Sequence, residues 1–126
     1  MADFRDLSGK FALVGVAESD ELGTLPHTSA LQLHAEAARN AIADAGLTKN
    51  DIDGIFSAGR LFATETAEYL GIRPRYIDGT MVGGCSFLLH VQHAMAAINA
   101  GLCDVALVTH GESGRSRVAM PSLSSP

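Results

Sequence analysis

The sequence contains no tryptophan, only two tyrosines and only two cysteines in 126 residues. With so few large aromatics, a core has to be built from aliphatics, alanine and the five phenylalanines. Two cysteines, Cys85 and Cys103, do not make the disulfide framework of a small secreted domain. Basic residues are also scarce. Nine Lys and Arg stand against 14 Asp and Glu, a formal net charge of −5 spread along the chain. That balance argues against a nucleic-acid-binding or anionic-membrane surface. The opening residues carry Asp3 and Asp6 and no apolar run, so no secretory signal is expected and a cytoplasmic location is.

One shortage is local. Between Gly79 and Cys103, 25 residues, there is no Asp, Glu, Lys or Arg, although 18% of the chain is charged. At that composition a given window of this length is charge-free by chance about once in a hundred. His90, Gln92, His93 and Asn99 interrupt it, so it is a poor membrane span. It reads as a helix buried on most of its faces. One sheet can cover only one side of such a helix, so a second layer is expected, supplied by a second copy or a partner chain.

What is present fits an ordinary fold. A chain that is 47% hydrophobic collapses rather than staying disordered, and its length suits one domain. Phe11–Ala17 is a short apolar run that reads as a buried strand. Ser29-Ala-Leu-Gln32 is a capping-box pattern opening a helix with apolar residues at Leu31, Ala35, Ala38, Ile42 and Ala45, stopped by Gly46. A turn at Thr48–Asp51, a strand at Asp53–Ser57, a helix at Thr64–Leu70 and a strand at Arg75–Asp78 follow. The charge-free helix is expected from Cys85 to Asn99, and a strand from Asp104 to Thr109. The order β-α-β-α-β-α-β calls for an α/β fold with a mainly parallel sheet. Residues 1–111 form the expected unit, and residues 112–126 read as the start of a loop region or a tail.

The chemistry-bearing residues cluster around the charge-free helix. In Gly83-Gly84-Cys85-Ser86 the thiol stands at the first turn, where the helix dipole and free N–H groups favour a thiolate. The two glycines allow a tight turn and leave room for a substrate to approach. The alternative is a small buried apolar cysteine beside glycines that permit close packing. Cys103, beyond the other end of the helix, is the poorer nucleophile and too distant for a disulfide to Cys85. His90 and His93, three residues apart, read as hydrogen-bonded interior or interface histidines, and no metal site is expected. His27 and His34 need only solvent or a cap contact. Gly111-Glu-Ser-Gly114 falls short of a nucleophile elbow because Arg115 replaces the last glycine.

Four passages carry a resemblance. They are Phe11-Ala-Leu-Val-Gly-Val-Ala-Glu18, Ala43-Asp-Ala-Gly-Leu47 leading into Asp51-Ile-Asp-Gly-Ile55, Gly84-Cys85-Ser86 continuing into Ala96–Gly101 and Asp104–Val108, and His110-Gly-Glu-Ser113. Together they resemble the N-terminal half-domain of the thiolase superfamily, in its sterol-carrier-protein-like branch that includes acetyl-CoA acetyltransferases. The resemblance implies Claisen-type acyl transfer or 3-ketoacyl-CoA thiolysis, with Cys85 carrying the acyl group as a thioester and its N–H as an oxyanion donor. Gly83, Gly84 and Ser86 would flank the nucleophile, and no substrate-binding residue is singled out. Coenzyme A thioesters would be substrates, with no bound cofactor. The family's activating histidine and acid/base residue belong to its C-terminal half, and His90, His93 and His110 do not match them. The chain is therefore expected to be inactive alone and to work as a homodimer or with a thiolase-like partner chain. Gly-Gly-Cys-Ser-Phe departs from the commonest thiolase pattern, which keeps a retro-aldolase or lyase, and a non-catalytic scaffold subunit, as alternatives.

Overall fold

A computed structural model describes residues 4–58 and 63–112. Three helices alternate with three strands: α1 (Ala30–Asp44), β1 (Gly54–Ala58), α2 (Ala63–Leu70), β2 (Tyr76–Asp78), α3 (Ser86–Asn99) and β3 (Ala106–His110). Short 3-10 turns at Phe4–Leu7 and Lys49–Asp51 complete the elements. The strands form one parallel sheet in the order β2-β1-β3. All five residues of the central strand are buried, as a strand flanked on both edges and both faces must be.

Alternation along the strands divides the interior into two layers. Ile55 of β1 and Leu107 of β3 pack against Ala38, Ile42, Ala63 and Ala67, which places α1 and α2 on one face. Phe56 packs against Ala94, Ala97 and Cys103, which places α3 on the other. Burying Ile55 and Phe56, both inaccessible to solvent, contributes about 2 kcal/mol each. The small residues on α1, α2 and α3 let each helix lie close to the sheet.

Local signals set the helix ends. Ser29 Oγ accepts from Gln32 N at 3.2 Å while Gln32 Oε1 accepts from Ser29 N at 2.7 Å, the reciprocal capping box expected from the sequence. Gly46, Gly71 and Gly101 follow α1, α2 and α3 in the left-handed region (φ +70°, +69° and +76°).

Asp53 ties the entry points of the strands together. Its carboxylate accepts from the backbone of Asp104 (2.9 and 3.0 Å) and Val105 (2.8 Å) and lies 3.5 Å from Arg75 Nη1. Its own carbonyl accepts from Arg75 N and Tyr76 N, and its N–H donates to Val105 O. One residue thus fixes β1 against β2 and β3 at the end of the sheet away from the loop that carries Cys85.

The strand expected at Phe11–Ala17 does not form. The segment has no regular secondary structure and pairs with no strand among the described residues, and Leu13 and Val16 are more than four-fifths exposed. It lies instead along α1. Val16 N donates to Asp44 Oδ2 (2.9 Å), Asn40 Nδ2 donates to Glu18 O (3.0 Å), and a Cβ on Gly15 would collide with Ala41 O and the Ala45 methyl. A trough of about 710 Å³ separates its Phe11–Val14 stretch from Val105, Ala106 and Val108. Its apolar residues therefore flank this gap rather than a core.

The charge-free helix is buried on one face only. Ser86, His90, Ala94 and Ala97 face the sheet, whereas Phe87 is 39% and Leu88 70% exposed. Its other side has no second layer among the described residues. Residues 113–126, which contain Ser113, Gly114 and Arg115 of the serine motif, lie outside the described residues.

Candidate functional site

In a parallel sheet the strands all end at the same edge, and that edge with the loops beyond it is where such folds hold ligands. Here it is formed by Ala58, Asp78 and His110, the last residues of β1, β2 and β3. The loop from Gly79 to Gly84 leaves this edge and delivers the chain to the first turn of α3.

Cys85 is the N-cap residue of α3 and is exposed. Its carbonyl accepts from Leu88 N (3.1 Å) and Leu89 N (3.2 Å), which starts the helix, and its Sγ lies 3.8 Å from Val82 O. The thiol makes no capping hydrogen bond. Gly83 has φ +90°, a conformation that glycine adopts without strain. A Cβ on Gly83 or Gly84 would meet nothing within 4 Å among the described residues. The reading of Cys85 as a buried apolar residue beside close-packing glycines therefore fails. The thiol is exposed, and the glycines face open space.

Ser86 has a different place. It is buried, and its hydroxyl donates to Gly83 O (2.6 Å) and accepts from Val82 N (3.0 Å). That hydroxyl closes the turn preceding Cys85 rather than facing solvent.

The two histidines of α3 hold the same loop from further along the helix. His90 is fully buried, and its Nε2–H donates to Thr80 O at 2.9 Å. His93 Nδ1–H donates to Asp78 Oδ2 at 2.6 Å. Asp78 Oδ1 accepts from Thr80 N (2.8 Å) and Thr80 Oγ1 (2.6 Å). Burial pushes the Asp78 carboxyl up, but the hydrogen bonds from Thr80 and His93 outweigh it and hold it below the usual value. Both histidines are hydrogen-bonded, as expected from the sequence. Among the described residues no three His, Cys, Asp or Glu stand together as a metal site.

A second group lies where β3 ends. His110 donates from Nδ1 to Ala58 O (3.3 Å), and its ring centroid is 5.5 Å from Phe87 in the first turn of α3. Its Nε2 is 3.8 Å from Glu112 Oε1, and its ring is 6.3 Å from that of His34. His34 is fully buried and hydrogen-bonded to Thr109, not solvent-facing as the sequence suggested. It falls on the same face as Ala38 and Ile42, four and eight residues on, so the helical period carried the signal.

Cys103 lies against Gly54 in the interior. Burial pushes its thiol pKa up, nearby Asp53 and Asp104 add to the rise, and Arg75 opposes it. Both cysteines are free, and Cys103 is the less reactive by environment. The sequence reading overlooked Asp78 and Thr80. Their one signal was position, since Asp78 is the last charged residue before the charge-free stretch.

No helix among the described residues is long and apolar enough to cross a membrane. No protein-family model matches the chain. A 17-hydroxy-3-oxo-4-pregnene-20-carboxyl-CoA lyase of Mycobacterium tuberculosis is 34% identical over 113 residues, which cover 87% of this chain and 29% of that protein. Among solved structures, an Ltp2-ChsH2(DUF35) aldolase superposes with a TM-score of 0.77 at 30% identity, over 85% of this chain and 28% of that one. A monomeric SCP2-thiolase-like protein type 1 of Mycobacterium smegmatis superposes with a TM-score of 0.62 at 26% identity, over 75% of this chain and 22% of that one. The chain thus spans less than a third of the length of each.

Proposed function

Because the chain is thiolase-like in both sequence and fold, we propose that it contributes the nucleophile-bearing part of an enzyme that makes or breaks a carbon–carbon bond in a coenzyme A thioester. The observation that carries this reading is the exposed Cys85 thiol at the head of α3, with open space over Gly83 and Gly84 at the C-terminal edge of a parallel sheet.

In the acyl-transfer reading, the Cys85 sulfur attacks the carbonyl of an acyl-CoA. A Cys85 thioester forms, and coenzyme A leaves as its thiol. The α-carbanion of a second acyl-CoA then attacks that thioester. The new carbon–carbon bond forms as the bond to Cys85 sulfur breaks. Thiolysis of a 3-ketoacyl-CoA is the reverse. Backbone N–H groups at the helix N-terminus suit the developing oxyanion. The acid/base residue would come from polypeptide beyond the matched third of the relatives.

The relative at 34% identity, named a carboxyl-CoA lyase, favours a second reading. Here a base removes the proton from a hydroxyl β to the thioester carbonyl. The alkoxide collapses to a ketone, the Cα–Cβ bond breaks, and the acyl-CoA enolate takes up a proton. No enzyme thioester is required.

The open side of α3, with Phe87 and Leu88 exposed, supports a second layer from further polypeptide, a second copy or a thiolase-like partner. A solved neighbour named for two components, Ltp2 and ChsH2, agrees with a partner subunit.

The test treats the full-length protein with acetyl-CoA and locates adducts by mass spectrometry. An acetyl group on Cys85, released coenzyme A and no reaction of a Cys85→Ala variant support acyl transfer. Cleavage of a 3-hydroxyacyl-CoA to a ketone without an adduct, undiminished in Cys85→Ala, supports the lyase reading instead. Neither reaction would overturn both.

A further inference from the structure

Each hydrogen-bonding group of Thr80 is engaged. Its N–H and hydroxyl donate to Asp78 Oδ1 (2.8 and 2.6 Å), and its carbonyl accepts from His90 Nε2 (2.9 Å). Asp78 is held in turn by His93 through its other oxygen, at 2.6 Å. Its side chain is only 11% exposed and that of His93 34%, so little water competes for these bonds. The loop of Cys85 is thus tied at its start to the second and third turns of the helix it opens. At its end the Ser86 hydroxyl, bonded to Val82 N and Gly83 O, closes it. Between the two ties stand only Met81, Val82 and the two glycines, and Met81 and Val82 are half exposed.

We propose that Asp78, with His93 behind it and His90 on the opposite side of Thr80, forms a polar latch whose role is to position Cys85 for attack on a thioester. These are positioning residues, and the proposal rests on the nucleophile reading above. The latch suits a site that must keep open space over two glycines, because hydrogen bonds from below fix the loop without filling the approach from above. A charge-assisted carboxylate is stronger than a neutral acceptor here, and the lowered pKa of Asp78 keeps it ionised at neutral pH. Loss of alignment by about 1 Å is enough to cost a reaction of this kind about 100-fold.

The experiment measures two rates at Cys85 in the full-length protein, acylation by acetyl-CoA and alkylation by iodoacetamide. Acylation depends on placement, whereas alkylation by a small reagent depends on exposure, which Cys85 already has. In Asp78→Ala, acylation is expected to fall at least 10-fold and alkylation to change less than 2-fold. Asp78→Asn keeps an oxygen for Thr80 and is expected to recover most of the loss. Thr80→Val, which removes one bond of three, is expected to fall between. Equal changes in both rates, or none, would overturn the latch. Alkylation of buried Cys103 reports global unfolding separately. If the parent protein is not acylated at all, the nucleophile reading fails. The latch is then judged on exchange of the Thr80 amide, expected to quicken at least 10-fold in Asp78→Ala while the amides of Ala94 and Ala97 stay protected, and overturned if it does not.

Discussion

His34 Nδ1 lies 2.9 Å from Thr109 Oγ1, joining the first turns of α1 to β3 through the interior. The Thr109 hydroxyl also meets Ser57 Oγ at 2.5 Å, and Ser57 lies 3.4 Å from Thr66 Oγ1 of α2. Four polar side chains thus link α1, α2, β1 and β3 beneath the edge that carries the candidate site. Among the described residues, buried His34 Nε2 meets no hydrogen-bond partner within the usual distance and angle.

Acid is expected to break this link first. Burial, then the nearby His110, lower the His34 pKa from 6.5 to about 4, against a smaller opposing effect of the Gly111 backbone. Because the unfolded chain takes up the proton more readily, the stability due to neutral His34 is complete above pH 6.5 and drains away between 6.5 and about 4. The loss amounts to about 3 kcal/mol. Asp78, held below 3.8 when folded, adds a further loss only at lower pH, as protons bind through its folded value. Urea unfolding at pH 7 and pH 4.5 measures the first effect. His34→Gln is expected to be less stable at pH 7 yet to flatten the slope between those values, and an unchanged slope would show that another group causes it.

Asp53 gives a larger effect from one side chain. Removing its carboxylate leaves the N–H groups of Asp104 and Val105 without their acceptor and weakens the register of β3 against β1. Asp53→Ala is expected to lower stability by about 2–4 kcal/mol, read from the midpoint of chemical unfolding. Asp53→Asn, which keeps one oxygen acceptor, should lose less than half of that. Arg75→Ala should cost little, because the Arg75 side chain is 58% exposed and its contacts with Asp53 and Asp104 are 3.5 and 3.8 Å.

Gly54 and Cys103 form a tight pair. A methyl on Gly54 would stand 2.9 Å from Cys103 Sγ and 3.2 Å from its Cβ, both in the interior. Gly54→Ala is expected to cost about 1–3 kcal/mol by overpacking. In the double variant with Cys103→Ala the sulfur is gone, so the combined loss should be smaller than the sum of the single losses by about 1 kcal/mol. Strict additivity in the double-mutant cycle would mean that the strain lies with Phe56 Cε2, also 3.2 Å away, instead.

The helices were legible because their signals are local. Ser29 and Gln32 carry the start of α1, Gly46, Gly71 and Gly101 carry the ends, and the spacing of Ala38 and Ile42 carries the buried face. Phe11–Ala17 misled because an apolar run reads the same whether its neighbours lie in the same stretch of chain or elsewhere. Pairing is a property of the sheet, and β3 offers it no partner among the described residues. Cys85 could be placed at the head of α3 because two glycines break the chain just before the charge-free helix. Asp78, Thr80 and His93 could not be joined, because their contacts depend on how β2 meets α3, and no short motif records that. His34 was misjudged by residue type when its position already placed it inside.

The two thiols should report different events. Cys85 is open to solvent, so iodoacetamide should label it in the folded chain at a rate that urea below the unfolding transition hardly changes. Cys103 has no accessible surface, and its thiol pKa is raised by burial and by Asp53 and Asp104. Its labelling therefore requires the chain to open. At a stability of about 5 kcal/mol the open fraction is on the order of 10⁻⁴, so Cys103 should react at least a thousandfold more slowly and accelerate steeply as urea is added. Site-resolved mass spectrometry over a urea series separates the two. Equal labelling in the absence of urea would contradict the burial of Cys103, whereas slow labelling of Cys85 that rises in parallel with Cys103 would mean that the loop over the glycines is covered in solution.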